Sequence, residues 1–230
     1  AVRFQLWDVF GDAPLGDGVL VRAAPGDARR VAHRIADAVH LALTGEPGWF
    51  TSRVAFVDER GPKGDRDKRI AIMDWDGANL EYVTRTGELA LTPRFSPDGA
   101  RLVYISWAGG RPQVYIHDVA TGAREALGAF DAMTFAPRFS PDGRRVIMSL
   151  SEGGDTDLWA LNLADRRLIR LTDAPGIETA PSYSPDGTRI VFESDSGGTQ
   201  QLYVMPAEGG AARRISFGEG RYGTPVWSPR

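Results

Sequence analysis

The stretch TPRFSPDG at residues 92–99 recurs as APRFSPDG at 136–143 and as APSYSPDG at 180–187, and TPVWSPR at 224–230 begins it a fourth time. The prolines that open these copies follow one another at a constant step of 44 residues, at Pro93, Pro137, Pro181 and Pro225. A fixed period of this length indicates a repeat architecture in which each copy is one supersecondary unit.

Each copy predicts a turn followed by strands. In Ser-Pro-Asp-Gly the proline presets φ, the aspartate hydrogen-bonds its own backbone and the glycine takes a left-handed conformation, so Asp98, Asp142 and Asp186 are interpreted as turn residues rather than as a ring of calcium ligands. β-Branched and aromatic runs follow, as in RLVYIS at 101–106 and QVYIHDV at 113–119.

With a short third run and the Pro-aromatic segment itself, each copy holds four strands. Four antiparallel strands in roughly 40–45 residues are typical of a β-propeller blade. A β-solenoid is the alternative, although its coils are usually shorter. The inner strands share an aromatic position that we expect to be buried, at Phe95, Phe139, Tyr183 and Trp227.

Composition narrows the class of protein. The chain has 230 residues, a net charge of −3, 42% apolar and 25% charged residues, which suits a globular protein and does not suggest a nucleic-acid surface. No apolar run approaches the roughly 20 residues of a membrane helix. The absence of cysteine is compatible with an oxidising compartment.

The first 48 residues have a different pattern. VRFQLWDV at 2–9 and GVLVRA at 18–23 predict a hairpin, and 25–45 predicts a helix with Asp27 as N-cap and Gly45 as C-terminal cap. We interpret 1–48 as the C-terminal part of an α/β domain and 49–230 as an incomplete β-propeller.

The first blade has only three predicted strands, within 53–84. Because a six-bladed ring would need roughly 260 residues, we expect the chain to be a fragment that lacks both ends. The predicted blades lie at about 51–86, 90–130, 134–174 and 178–218, and the next starts at 224.

Longer segments carry a family resemblance. ARRVAHRIADAVHLALTGEPGWF at 28–50, TSRVAFVDERGPK at 51–63 and RISFGEGRYGTPVWSPR at 214–230, together with the repeats, resemble the TolB family of periplasmic proteins of Gram-negative bacteria. The resemblance covers essentially the whole chain. It implies the end of an N-terminal α/β domain followed by a six-bladed propeller.

The resemblance also implies a function. Such proteins are non-enzymatic scaffolds of the Tol-Pal envelope system, without cofactor or metal. They bind the peptidoglycan-associated lipoprotein Pal through the propeller and TolA through an extreme N-terminal segment, which this sequence does not include. They support outer-membrane integrity and cell division, and colicins use them for import.

Candidate contacts with Pal follow from the repeat register. The innermost strand of a blade starts at the mouth of the central channel, so the loops at 88–93, 131–137, 176–181 and 220–225 are expected to line that mouth. The resemblance places contacts one to four residues before the repeat proline, and two arginines follow it directly. The candidates are Met133, Thr134, Ala136, Glu178, Thr179, Thr92, Tyr222, Arg94 and Arg138.

Simpler interpretations of these residues stay open. The loop residues could merely finish a turn, and Arg94 and Arg138 could form ion pairs between adjacent blades rather than bind an acidic partner.

Two catalytic classes compete with the scaffold. A gating propeller of a prolyl-oligopeptidase-like serine peptidase would accompany a Gly-x-Ser-x-Gly motif, which the sequence lacks. A metal-holding channel would need convergent histidines and carboxylates, but none of the three histidines aligns with the channel-mouth loops. We therefore predict a protein that is not an enzyme.

Overall fold

A computed structural model describes residues 1–22, 24, 26–128, 130 and 132–228. Residues 1–54 with 72–81 form one compact unit, and 55–71 with 82–230 form a second. The domain boundary predicted at residue 48 stays a prediction. Of the segments discussed above, Ala23, Pro25, Asp131 and the last two residues of TPVWSPR lie outside the described residues. Within the described ranges, no helix combines the length and the apolar character that crossing a membrane requires.

The first unit contains the predicted hairpin and helix. Strands β1 (Val2–Asp8) and β2 (Ala13–Val21) pair antiparallel, and helix α1 spans Ala28–Thr44. Gly45 ends the helix in the left-handed region at φ 73°, and its N–H donates to the Leu41 carbonyl. The Asp27 N-cap is wrong in one respect. This residue does precede the helix, but its carboxylate accepts from Ala24 N–H and Arg30 instead of capping the first turn.

Three hydrogen bonds join helix α1 to the segment that follows it. The Asp37 carboxylate accepts hydrogen bonds from the N–H of Phe50 at 2.7 Å, the N–H of Thr51 at 3.1 Å and the Thr51 hydroxyl at 2.6 Å. A Cβ at Gly48 would lie 2.6 Å from the Asp37 Cα, so only glycine fits there. Residues 48–51 are therefore held against the helix.

The remaining strands form four antiparallel sheets, each in chain order. The first has three strands and the other three have four, as predicted from the repeat. The first sheet is β3 (Arg53–Arg60), β4 (Asp67–Asp74) and β5 (Glu81–Tyr82). The second is β6 (Ala90–Phe95), β7 (Arg101–Ser106), β8 (Gln113–Asp118) and β9 (Arg124–Ala126). The third is β10 (Met133–Phe139), β11 (Arg145–Glu152), β12 (Asp155–Asn162) and β13 (Leu168–Arg170). The fourth is β14 (Glu178–Tyr183), β15 (Arg189–Ser194), β16 (Gln201–Pro206) and β17 (Arg213–Arg214).

Neighbouring sheets pack face to face through side chains of alternating direction. In β11, Val146 and Met148 belong to a hydrophobic cluster shared with the sheet of β6–β9, whereas Ile147 belongs to a cluster shared with the sheet of β14–β17. The strand is thus buried on both faces, which explains why three consecutive residues, Val146, Ile147 and Met148, are all apolar. The aromatic position is buried in two of the four copies, since Phe139 and Tyr183 belong to these two clusters. Phe95 and Trp227 are only half-buried, so the expectation is wrong for them.

The Ser-Pro-Asp-Gly turns are nearly identical. In the second copy the Ser140 hydroxyl donates to Asp142 at 2.5 Å and accepts the N–H of Arg145 at 2.9 Å, while Gly143 takes φ 67°. The Asp142 carboxylate also accepts the N–H of Arg144. These hydrogen bonds, first from the serine and then from the backbone, lower the pKa of Asp142. The same serine–aspartate bond recurs at 2.5 Å for Ser96–Asp98 and Ser184–Asp186.

Candidate docking surface

The inner strand of each full sheet contains the same β-bulge, just before or at the repeat proline. The pairing register shifts between Leu91 and Arg94 in β6, and at the matching places in β10 and β14. Proline has no N–H to give to the ladder, so strands accommodate it at bulges. The residue before the proline takes a left-handed φ of 47–55° in all four copies: Thr92, Ala136, Ala180 and Thr224. We call these four positions with their prolines the lead-in bulges.

The candidate residues around the lead-in bulges fall into two groups by exposure. The first group reaches solvent. Met133 is 50% exposed, Thr92 and Tyr222 are exposed, and Ala136 and Thr179 are half-buried. The Thr179 hydroxyl donates to Glu193 Oε1 at 2.8 Å, which fixes its direction. Apart from the two arginines, these five residues are the part of the predicted set that a partner can touch directly.

The second group consists of Thr134 and Glu178, each only 1% exposed. Glu178 Oε1 accepts a hydrogen bond from the Ser194 hydroxyl at 3.0 Å. Burial raises the pKa of the Glu178 carboxyl and outweighs the hydrogen bonds from Ser194 and Thr172, which act in the opposite direction. Both side chains are buried, so a partner on the surface cannot touch them directly.

A second buried glutamate near a lead-in bulge was not predicted. Glu88 precedes β6, and both of its carboxylate oxygens accept from Arg124 Nη1, at 2.6 and 2.8 Å. The Ser106 hydroxyl also donates to it at 2.6 Å. Burial opposes ionisation of Glu88, but the hydrogen bonds from Arg124 and Ser106 outweigh it, and the pKa of Glu88 is lowered. Only a weak sequence signal exists, because Ser106 and Ser194 occupy the same repeat position, two periods apart.

The two candidate arginines line a groove. Arg94 and Arg138 follow the prolines of successive copies. The rest of the groove is lined in part by the aromatic side chains of the inner strands and by Trp227. Trp227 is anchored there because its Nε1–H donates to the Ser182 carbonyl at 3.1 Å. We call this the arginine groove, lined by Arg94, Phe95, Arg138, Phe139, Tyr183 and Trp227.

The ion pairs considered for these arginines are not formed with any residue that the structure describes. Across the described ranges 1–22, 24, 26–128, 130 and 132–228, no carboxylate oxygen lies within 4 Å of either guanidinium. Arg94 Nη1 donates instead to the carbonyl of Pro93 at 2.8 Å. Burial, and secondly the positive charge of Arg94, lower the pKa of Arg138.

No metal centre is formed in the part of the chain that the structure describes, because no three histidine, aspartate or glutamate side chains come together there in a suitable arrangement. The chemistry that the surface offers is polar and apolar contact at the lead-in bulges and positive charge in the arginine groove.

Comparison with known proteins decides the family. The model of the TolB β-propeller domain family matches residues 40–230. The chain belongs to the TolB β-propeller domain family. The family confirms the propeller prediction and the resemblance seen in the sequence. It makes the β-solenoid alternative wrong, since in each of the three four-stranded sheets the ladders join antiparallel strands of one repeat.

Individual TolB proteins are similar over long stretches. The Tol-Pal system protein TolB of Jannaschia sp. is 58% identical over 134 residues, which are 58% of this chain and 30% of that protein. The crystal structure of TolB from Acinetobacter baumannii superposes with a TM-score of 0.83 at 32% identity, over 98% of this chain and 56% of that one. The match thus spans about a third of the curated relative and about half of the solved protein.

A puromycin-hydrolyzing peptidase from Mycobacterium tuberculosis also superposes, with a TM-score of 0.55 at 21% identity, over 70% of this chain and 26% of that one. At this identity the likeness concerns the fold alone.

Proposed function

We propose that the chain is a non-enzymatic scaffold of the Tol-Pal system in the periplasm, and that its lead-in bulges dock the lipoprotein Pal. The observation that carries the proposal is the 58% identity to a protein named for that system, on a propeller whose repeats expose side chains at one end of each inner strand. We extend the proposal to the roles that the family resemblance implies, in outer-membrane integrity, cell division and colicin import.

The geometry of the lead-in bulges suits docking. Bulges re-aim side chains at the ends of strands, and residues carried by a rigid scaffold recognise partners without a large ordering cost. Methionine and tyrosine, present as Met133 and Tyr222, are enriched in protein interfaces, and Ala136 and Thr92 leave room for a partner's backbone. Thr134 and Glu178 are buried next to this surface and are not proposed to contact Pal directly. The resemblance assigns TolA to an extreme N-terminal segment, so no residue of this chain is proposed for it.

Binding of the soluble part of Pal to the intact protein tests the proposal by calorimetric titration. Ala136→Arg places a long charged side chain on the lead-in surface and should weaken the affinity ~10-fold or more, as expected for a residue inside an interface. Thr179→Arg should act in the same direction.

The matched control is Ala100→Arg. Ala100 is exposed at the opposite end of the inner strand, and the equivalent residue of the next copy is already arginine, Arg144. It should leave the affinity within about twofold. Equal affinities for Ala136→Arg and the wild-type protein would remove these positions from the interface. Turnover of generic peptide or polysaccharide substrates would contradict the non-enzymatic scaffold.

A further inference from the structure

Neither arginine of the arginine groove has a carboxylate partner among the described residues. The groove encloses about 330 Å³, which suits a side chain or a small ion rather than a large ligand. Arg94 is exposed and Arg138 is half-buried. Two like charges therefore share one concave site in a chain whose net charge is −3.

Arginines of the outer strands β9 and β13 do have acidic partners. Arg124 contacts Glu88 at 2.6 Å, and Arg170 contacts Asp157 at 2.6 Å. Taking a guanidinium out of water costs free energy unless an anion or several acceptors compensate it. Arg138 bears this cost without a carboxylate among the described residues, and the neighbouring Arg94 adds repulsion rather than relief. An incoming anion would remove both penalties.

The position of the groove indicates where the anion comes from. Arg94 and Arg138 each lie two residues after a lead-in residue, Thr92 and Ala136, so a partner seated on the lead-in bulges borders the groove. Aromatic side chains form much of its wall, which favours an organic group with an apolar stem over a fully hydrated ion.

We infer that the arginine groove is a carboxylate-binding site that receives an acidic side chain or the chain terminus of the docking partner. This inference rests on the docking function proposed above. The planar guanidinium forks are matched to carboxylates and bind them through charge-assisted hydrogen bonds. The alternative source of an oxyanion is free phosphate, and the experiment separates the two.

The first experiment needs no partner protein. The Trp227 indole N–H signal of the intact protein is followed by NMR while acetyl-Glu-amide is added, with acetyl-Gln-amide as the neutral isostere and inorganic phosphate in a third series, all at equal ionic strength. We expect a saturable shift with the glutamate compound, none with the glutamine compound, and loss of the shift in Arg138→Gln. Arg144→Gln, which removes an exposed arginine from a Ser-Pro-Asp-Gly turn, should keep it.

The possible outcomes decide the inference. No saturable shift with the glutamate compound overturns it. Saturation by phosphate alone also overturns it, because the site would then serve a free inorganic anion.

The second experiment measures Pal binding to the same variants. Arg138→Gln should weaken the affinity ~10-fold or more and reduce its salt dependence, whereas Arg144→Gln should change it less than about twofold. If the wild-type protein binds Pal and Arg138→Gln binds equally well, the carboxylate site is wrong and the docking function stands. If the wild-type protein does not bind Pal, the docking function fails, and a partner carboxylate from Pal fails with it.

Discussion

The two ends of the inner strand follow opposite rules. At the turn end, backbone and side chains repeat together, since each serine hydroxyl lies 2.5 Å from its aspartate in all three complete copies. At the lead-in end only the backbone repeats: φ stays at 47–55° while the residue after the proline changes from arginine to serine and valine. The turn end therefore fixes the scaffold, and the lead-in end uses that scaffold to present different side chains. The predictions below test this division on both ends of the strand.

The largest difference is expected within one strand, between Phe139 at the turn end of β10 and Met133 at its start. Phe139 is buried in a cluster shared by two sheets, so Phe139→Ala should lower the free energy of unfolding by ~3–5 kcal/mol. Met133→Ala removes a half-exposed side chain and should change it by less than ~0.5 kcal/mol. Urea unfolding of the intact protein measures both. Equal losses would show that the two ends are not energetically distinct.

An intermediate effect concerns Glu178 and Glu88, two of the buried glutamates near lead-in bulges, which should respond oppositely to pH. The folded-state pKa of Glu178 is raised above 4.5, so its stabilising contribution is complete below pH 4.5 and is lost as the pH rises through the folded value. Glu178→Gln should therefore stabilise the protein at pH 7, by about 1 kcal/mol, and lose this advantage in acid.

Glu88 has a lowered pKa, so it contributes stability above pH 4.5 that is lost as the pH falls through its folded value. Glu88→Gln should destabilise the protein at pH 7 by about 1.5–3 kcal/mol, because Arg124 loses a charged acceptor. Unfolding curves from pH 3 to 8 provide the measurement. Parallel curves for the two variants would contradict the opposite electrostatic environments.

The smallest effect compares backbone strain at the two ends. Ala136 has φ 47° and Gly143 has φ 67°, both in the left-handed region that favours glycine. Ala136→Gly should stabilise the protein by ~0.5 kcal/mol, because relief of strain exceeds the entropy that glycine costs. Gly143→Ala should destabilise it by ~1 kcal/mol. Thermal unfolding of both variants would resolve these changes, and a loss for Ala136→Gly would mean that the bulge is not strained.

The sequence predicted those features that local chemistry determines. Ser140-Pro141-Asp142-Gly143 defines its own turn, and Gly45 ends helix α1 where a cap glycine was expected. The period of 44 residues placed the strands in the correct sheets.

The features that it did not predict depend on register and on distant partners. A bulge changes which face a side chain takes, so the spacing before the proline could not reveal that Thr134 and Glu178 are buried while Met133 is exposed. The pairing of Glu88 with Arg124 joins residues 36 positions apart, and neither residue carries a local signal for it. For the same reason, only the three-dimensional structure shows that Arg138 has no carboxylate within 4 Å among the described residues.

The position of strand β11 determines how local unfolding spreads through the propeller. Because Val146 and Met148 face one neighbouring sheet and Ile147 faces the other, this strand contributes to the hydrophobic interfaces with both adjacent blades. Local unfolding of either neighbouring blade would expose one face of β11 to water. It would also weaken the packing of β11 against the blade on its other face. Adjacent blades are thus expected to unfold together rather than one at a time. The same coupling through interfaces between nearest neighbours governs linear repeat arrays.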